Sequence, residues 1–163
     1  MFRRIVPLAA TALLAALAGC SSVSLDPAQP TAPVASPAVE TTGDATSTAA
    51  TLSGYKYDLA SRIAQTSPVQ VFVGRPQALL RSVVVVKYQV DASGRLMRSE
   101  ILRSNRDRVT ETAALASLRK AAPFPKPAAH LLRHGRVEIL ETWLFNNDGR
   151  FQLRSIAEPQ MAE

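Results

Sequence analysis

The sequence predicts a small α+β domain of two layers, a three- to four-stranded antiparallel sheet with two helices on one face. Three observations carry this. Val83 to Val90 is rich in β-branched residues and places Lys87 and Gln89 opposite Tyr88 and Val90, the pattern of a strand with two unlike faces. Two segments, one around Tyr55, Leu59 and Ile63 and one from Asp107 to Ala121, space their apolar residues as helices do. Asp91-Ala92-Ser93-Gly94 and Asn147-Asp148-Gly149 are turns that return a strand on its neighbour.

Order is expected from residue 53 to residue 157, roughly a hundred residues, enough for one core. Tyr55, Leu59 and Ile63 form one stripe of a first helix, with Asp58 in its first turn and Pro68 beyond its end. Val69 to Val73 reads as a strand or as an extended loop. Gly74 and Pro76 break it, and Pro76 to Leu80 forms one helical turn. In the first clear strand Val84, Val86, Tyr88 and Val90 face the helices, while Val83, Val85, Lys87 and Gln89 face away. Gly94 in the following turn suits positive φ. The second strand, Arg95 to Arg103, alternates imperfectly, because Leu96 and Ile101 stand five apart. That spacing predicts a bulge.

Asp107 is placed to cap the second helix, with Glu111 near its start and Arg119-Lys120 near its end, as the helix dipole favours. Ala114, Leu115, Leu118 and Ala122 are its expected buried stripe, and Pro123 stops it. Pro123-Phe124-Pro125-Lys126-Pro127 is a stiff extended connector. The last long strand runs from Arg136 to Asn146. Val137, Ile139, Trp143 and Phe145 share a face, with Glu141 as the exception. Phe151 and Leu153 alternate on a short returning strand, and residues 158–163 form a flexible tail.

The start of the chain carries a separate signal. Arg3-Arg4 precede an apolar run from Ile5 to Leu17 of about 13 residues, short of the ~20 needed to span a bilayer. Leu17-Ala18-Gly19-Cys20-Ser21 follow, and Cys20 is the chain's one cysteine. Residues 1–19 therefore read as a secretory leader whose cleavage point resembles a bacterial lipobox. That resemblance implies an acylated Cys20 at the start of the mature chain and attachment to a membrane through its lipid. Ser21, where an aspartate would mark retention at the inner membrane, favours the outer membrane, facing the periplasm. Residues 20–52 are the anchored cysteine and a disordered linker of Ala, Pro, Thr and Ser, stiffened by Pro27, Pro30, Pro33 and Pro37. Such a tether of ~32 residues reaches ~30 Å as a coil and ~100 Å when extended.

Removal of Arg3 and Arg4 lowers the formal charge of +6 by two, leaving a mildly basic chain. It attracts anionic headgroups or acidic wall polymers loosely, and export argues against nucleic acid. Once Cys20 is acylated no thiol is left for a disulfide, so the core alone holds the fold. No catalytic constellation stands out. The acids are scattered over turns, caps and strand edges, and no nucleophile elbow or phosphate loop is present. His130 and His134 are four apart, but no acid or cysteine nearby completes a metal site and Arg133 opposes a cation. The expectation is two solvent-facing histidines, no metal, no cofactor and no enzyme activity. Arg95, Arg98, Arg103, Arg106 and Arg108 form a basic surface, read as a solvated face or as a contact for acidic polymer or headgroups.

Ala78-Leu79-Leu80-Arg81, Val83 to Val90, Asp91 to Leu96, Ile101-Leu102-Arg103-Ser104-Asn105, Ala113-Ala114-Leu115, Pro123-Phe124-Pro125 and Val137 to Phe145 occur in one order and spacing. Together, from Pro76 to Leu153, they resemble the C-terminal domain of the TonB family of energy transducers. The resemblance implies a non-catalytic adapter that takes an extended segment of an envelope protein, such as an outer-membrane receptor or transport component, as an added strand. The edge implied is Val137, Glu138, Ile139, Leu140, Glu141, Thr142 and Trp143, with Glu138, Leu140 and Thr142 as contacts. The alternatives are that Phe151 to Arg154 cover this edge or that it serves a homodimer. The chain departs from the family in having a lipobox where a motor-coupled transmembrane helix is usual, and in lacking the long charged spacer. Gly74-Arg75-Pro76 stands near the place of the usual Tyr-Pro pair. A second reading is a structural envelope lipoprotein whose arginines touch peptidoglycan.

Overall fold

A computed structural model of the chain describes residues 45–159. The leader, Cys20, the linker as far as residue 44 and tail residues 160–163 lie outside the described residues. Within them, two helices, α1 (Leu52–Thr66) and α2 (Arg108–Ala121), accompany four strands, β1 (Ser82–Asp91), β2 (Leu96–Arg103), β3 (Arg136–Phe145) and β4 (Phe151–Leu153). The sheet is antiparallel in the order β2-β1-β3-β4. This is the small α+β fold that the sequence predicts. No helix among the described residues is long and apolar enough to cross a membrane.

Alternation decides which face meets the helices. Val84, Val86, Tyr88 and Val90 are buried with Val137, Ile139, Trp143 and Phe145 from β3, against Tyr55, Leu59 and Ile63 of α1 and Ala114 and Leu118 of α2. The β1–β3 ladder runs from Ser82–Phe145 to Asp91–Arg136 with no register shift. The β1–β2 ladder has two shifts, which leave Met97 and Leu102 without a residue opposite. Leu96 stands across from Val90 and Ile101 across from Val86, so the odd spacing of Leu96 and Ile101 is the bulge at Met97.

Asp107 caps α2 as expected, accepting from the Val109 N–H at 3.0 Å and binding Arg81 Nε at 2.8 Å. The buried stripe differs from the expected one. It is Thr110, Ala114, Ser117, Leu118 and Ala121, with Leu115 and Ala122 only partly buried. Thr110 and Ser117 enter because each hydroxyl finds a buried partner. Thr110 donates to Ser82 Oγ at 2.9 Å, and Ser117 donates to the Ala114 carbonyl at 2.9 Å.

Residues 45–51, which the sequence assigns to the linker, are held against the connector after α2. Thr46 bridges Lys126, the Ser47 N–H donates to the Lys126 carbonyl at 2.9 Å and the Lys126 N–H donates to the Ala45 carbonyl at 2.9 Å. Backbone pairing to the connector orders this polar segment, which has little apolar surface of its own. Asp58 lies beyond the first turn of α1 and accepts from Ser47 Oγ, while Thr51 caps the helix by accepting from the Gly54 N–H at 3.1 Å. Pro76 to Leu80 is an irregular loop, not a helical turn. The segment before it is drawn out along β4. The Phe72 N–H donates to the Phe151 carbonyl at 2.9 Å, and the Phe151 N–H to the Gln70 carbonyl at 2.8 Å.

Candidate functional site

The expected docking strand, Val137 to Trp143, is interior to the sheet: β1 pairs with β3 along its whole length. Val137, Ile139 and Trp143 point into the core and are at most 3% exposed. Trp143 is further excluded as an edge residue because it lies opposite Leu153 of β4. What remains open is smaller, and the backbone shows where it lies. The Arg154 N–H donates to the Thr142 carbonyl at 2.9 Å, so the peptide groups of Thr142 point away from β1. Every second residue of a strand repeats that direction. Glu138 and Leu140 therefore turn their N–H and C=O outward too.

Both ends of this opening are closed. At one end Arg133 and Arg136 exchange backbone hydrogen bonds of 2.8 and 3.2 Å. At the other the Thr142 N–H donates to Glu141 Oε1 at 2.7 Å. β4 covers only Trp143 to Phe145. The edge left over is Glu138 to Leu140, with the Leu140 side chain 48% exposed on the helix-free face. The outer side of β4 is occupied by Gln70 to Phe72. β2 is the other open edge, and it carries two bulges and the charged contacts Arg98–Glu100, at 3.1 Å, and Lys87–Glu100, devices that discourage strand pairing.

Glu141 is the exception on the core face of β3, and it is fully buried. Oε1 holds the Thr142 N–H, whereas Oε2 has no hydrogen-bond partner within geometric reach among the described residues. Burial pushes its carboxyl above the ordinary carboxylate range, offset in part by hydrogen bonding from Ser155 and the Thr142 N–H and by the charge of Lys56. The sign follows from linkage. A carboxyl whose folded pKa is raised stabilises the fold below its unfolded pKa and loses that contribution as pH rises through the folded value. Asp91 runs the other way. Hydrogen bonds from Ser93 and Arg95 hold it well below the usual range, so its contribution is present above the unfolded pKa and fades toward acid. Relative to Glu141→Gln, the wild-type chain should lose stability as pH rises from the ordinary carboxylate range through the raised value of the buried carboxyl. Urea midpoints over that range measure this, and a difference independent of pH would mean that Glu141 does not change its proton on burial.

The five arginines do not form one patch. Arg95 pairs with Asp91 at 2.8 Å and Arg98 with Glu100 at 3.1 Å. Arg103 ends β2, Arg106 lies in the following loop with φ of +64°, and Arg108 opens α2. The eight residues of β2 separate Arg95 from Arg103 by roughly 25 Å.

His130 and His134 are exposed, and the segment is not the α-helix that would set them on one face. His130 lies in a 3-10 turn (Ala129–Leu131), and His134 has φ of +53°. They nonetheless line one groove of about 450 Å³ at the N-terminal end of β3, with Leu52, Leu131, Arg133, Arg136, Val137 and Glu138 among its walls. His130 Nε2 lies 2.8 Å from the Ala50 carbonyl. No three His, Cys, Asp or Glu residues among those described are placed to hold a metal. The density of cationic residues from His130 to Arg136 was visible in the sequence; its position beside the open edge was not. No family model, curated protein or solved structure matches this chain.

Proposed function

We propose that this chain is a lipid-anchored, non-catalytic docking module of the bacterial envelope, which takes an extended segment of a partner protein as an added strand along β3. The leader and Cys20 motif support export and acylation, on the resemblance to a lipobox. The resemblance to TonB-family C-terminal domains supports an adapter role linked to transport across the outer membrane. The observation that carries the docking step is the gap between Arg136 and Thr142, where Glu138 and Leu140 direct their peptide groups outward.

The size of the gap sets its strength. Two N–H and two C=O groups at ~0.5–1.5 kcal/mol each supply of order 2–6 kcal/mol. Loss of translational and rotational freedom on association costs ~4 kcal/mol or more. Backbone pairing alone therefore holds a partner weakly, and side-chain contacts must supply the rest. The dispersed arginines give no comparable support to a peptidoglycan-binding role.

Amide hydrogen exchange on the purified chain tests the edge without any ligand. The N–H groups of Glu138 and Leu140 should exchange fast, and those of Ile139 and Glu141, which face β1, slowly. Plug-domain peptides of outer-membrane receptors should then slow Glu138 and Leu140. Equal protection of all four in the free chain, or ligand-induced protection confined to Ser99 and Ile101 of β2, would overturn the assignment.

A further inference from the structure

We infer that the groove at the N-terminal end of β3 is a carboxylate site, which receives the acidic side chains of a peptide bound beside it. The inference deepens the docking reading and rests on it for the peptide's extended form. Two guanidinium groups, Arg133 and Arg136, line the groove, and neither has a side-chain hydrogen bond or ion pair among the described residues. His134 is likewise without one, and His130 makes its one contact with the Ala50 carbonyl. The single carboxylate in the lining, Glu138, is already engaged as acceptor from Gln89 Nε2 at 3.1 Å. The groove thus holds more positive than negative charge and offers N–H donors with no acceptor assigned to them.

The volume and place select the ligand class. About 450 Å³ is room for one or two side chains. An arginine fork binds a carboxylate or a phosphate through two parallel hydrogen bonds. Glu138 stands in the same lining, and it repels a doubly charged phosphate more than a singly charged carboxylate. The outward peptide groups of Glu138 itself border the groove, and they are met by a peptide backbone, not by a lipid headgroup. A strand added along Glu138 and Leu140 would carry its neighbouring side chains into the groove, supplying the contacts that four backbone groups lack.

Hexaglutamate titrated into the full chain in detergent tests this, with the arginine Nε–H signals and the backbone amides followed by NMR. It should shift Arg133 and Arg136 and slow exchange at Glu138 and Leu140. Arg133→Glu/Arg136→Glu should weaken it by about tenfold or more, while Arg103→Glu/Arg108→Glu changes it less than about twofold. Arg133→Gln/Arg136→Gln, which removes charge without reversing it, should fall between. Equal weakening by both charge-reversed pairs would reduce the effect to general attraction and overturn the inference. So would inorganic phosphate that binds as well as hexaglutamate at Arg133 and Arg136. Protection of Glu138 and Leu140 with no dependence on these arginines would overturn the carboxylate site and leave strand docking standing. Shifts of the arginine signals without amide protection would do the reverse.

Discussion

Replacing Gly94 by alanine is expected to cost at least about 3 kcal/mol, a large share of the 5–15 kcal/mol that holds a small domain together. Gly94 closes the β1–β2 hairpin with φ of +85°, and an added Cβ would stand 2.1 Å from the Phe124 carbonyl oxygen and 3.1 Å from its carbon. The obstacle is backbone, so no side chain can swing aside. It also cannot retreat cheaply. The Phe124 N–H donates to the Gly94 carbonyl at 2.8 Å, and the Phe124 ring is fully buried against Tyr88 at 6.0 Å between centroids. One residue on, the Pro125 carbonyl accepts from the Tyr55 hydroxyl at 2.8 Å, so a shift of the connector disturbs α1 as well. Gly135→Ala is the control. Its φ is +77° but no atom lies within 4 Å of the added Cβ, so it should cost only the left-handed backbone strain of ~1–2 kcal/mol. Urea unfolding of both variants separates the two terms. Equal losses would mean that the hairpin tip gives way freely.

Local pattern accounts for what the sequence made legible. The β-branched run from Val83 to Val90, the cap at Asp107 and the five-residue spacing of Leu96 and Ile101 each depend on neighbours in the chain, and each has its counterpart in the structure. The docking edge depends on pairing between strands far apart in sequence. β1 and β3 are joined only after β2 and α2, and nothing in β3 announces that it lies between β1 and a β4 of three residues. The expected seven-residue edge therefore contracts to Glu138 and Leu140. The docking of residues 45–47 was hidden for a related reason, since their partners lie at Lys126 and Asp58. The groove shows the same division. His130, Arg133, His134 and Arg136 stand within seven positions of one another in the sequence. Only the turn through His134 and Gly135, both at positive φ, sets them beside an open strand.

Trp143→Ala should cost about 3–5 kcal/mol, enough to leave little folded protein under mild denaturant. Trp143 is the largest fully buried side chain, and it reaches from the middle of the sheet to α2. Its Nε1–H donates to Ser117 Oγ at 3.0 Å, and the Ser117 hydroxyl in turn donates to the Ala114 carbonyl at 2.9 Å. The indole thus fills volume and satisfies a polar pair inside the core. The two contributions can be told apart. Trp143→Phe keeps an aromatic ring but leaves Ser117 Oγ with one lone pair unused, while Ser117→Ala leaves the indole N–H buried with no acceptor, at ~1–3 kcal/mol. The double variant removes donor and acceptor together. Its loss should fall short of the two single losses added, by about 0.5 kcal/mol or more, as expected for groups in direct contact. Additive losses would show that packing alone ties α2 to the sheet. The hydrogen-bonded result matters for the docking edge, because β3 carries Trp143 inward and Glu138 and Leu140 outward on one backbone. A strand held at Trp143 by a directional bond presents those peptide groups in a fixed register, which strand addition requires.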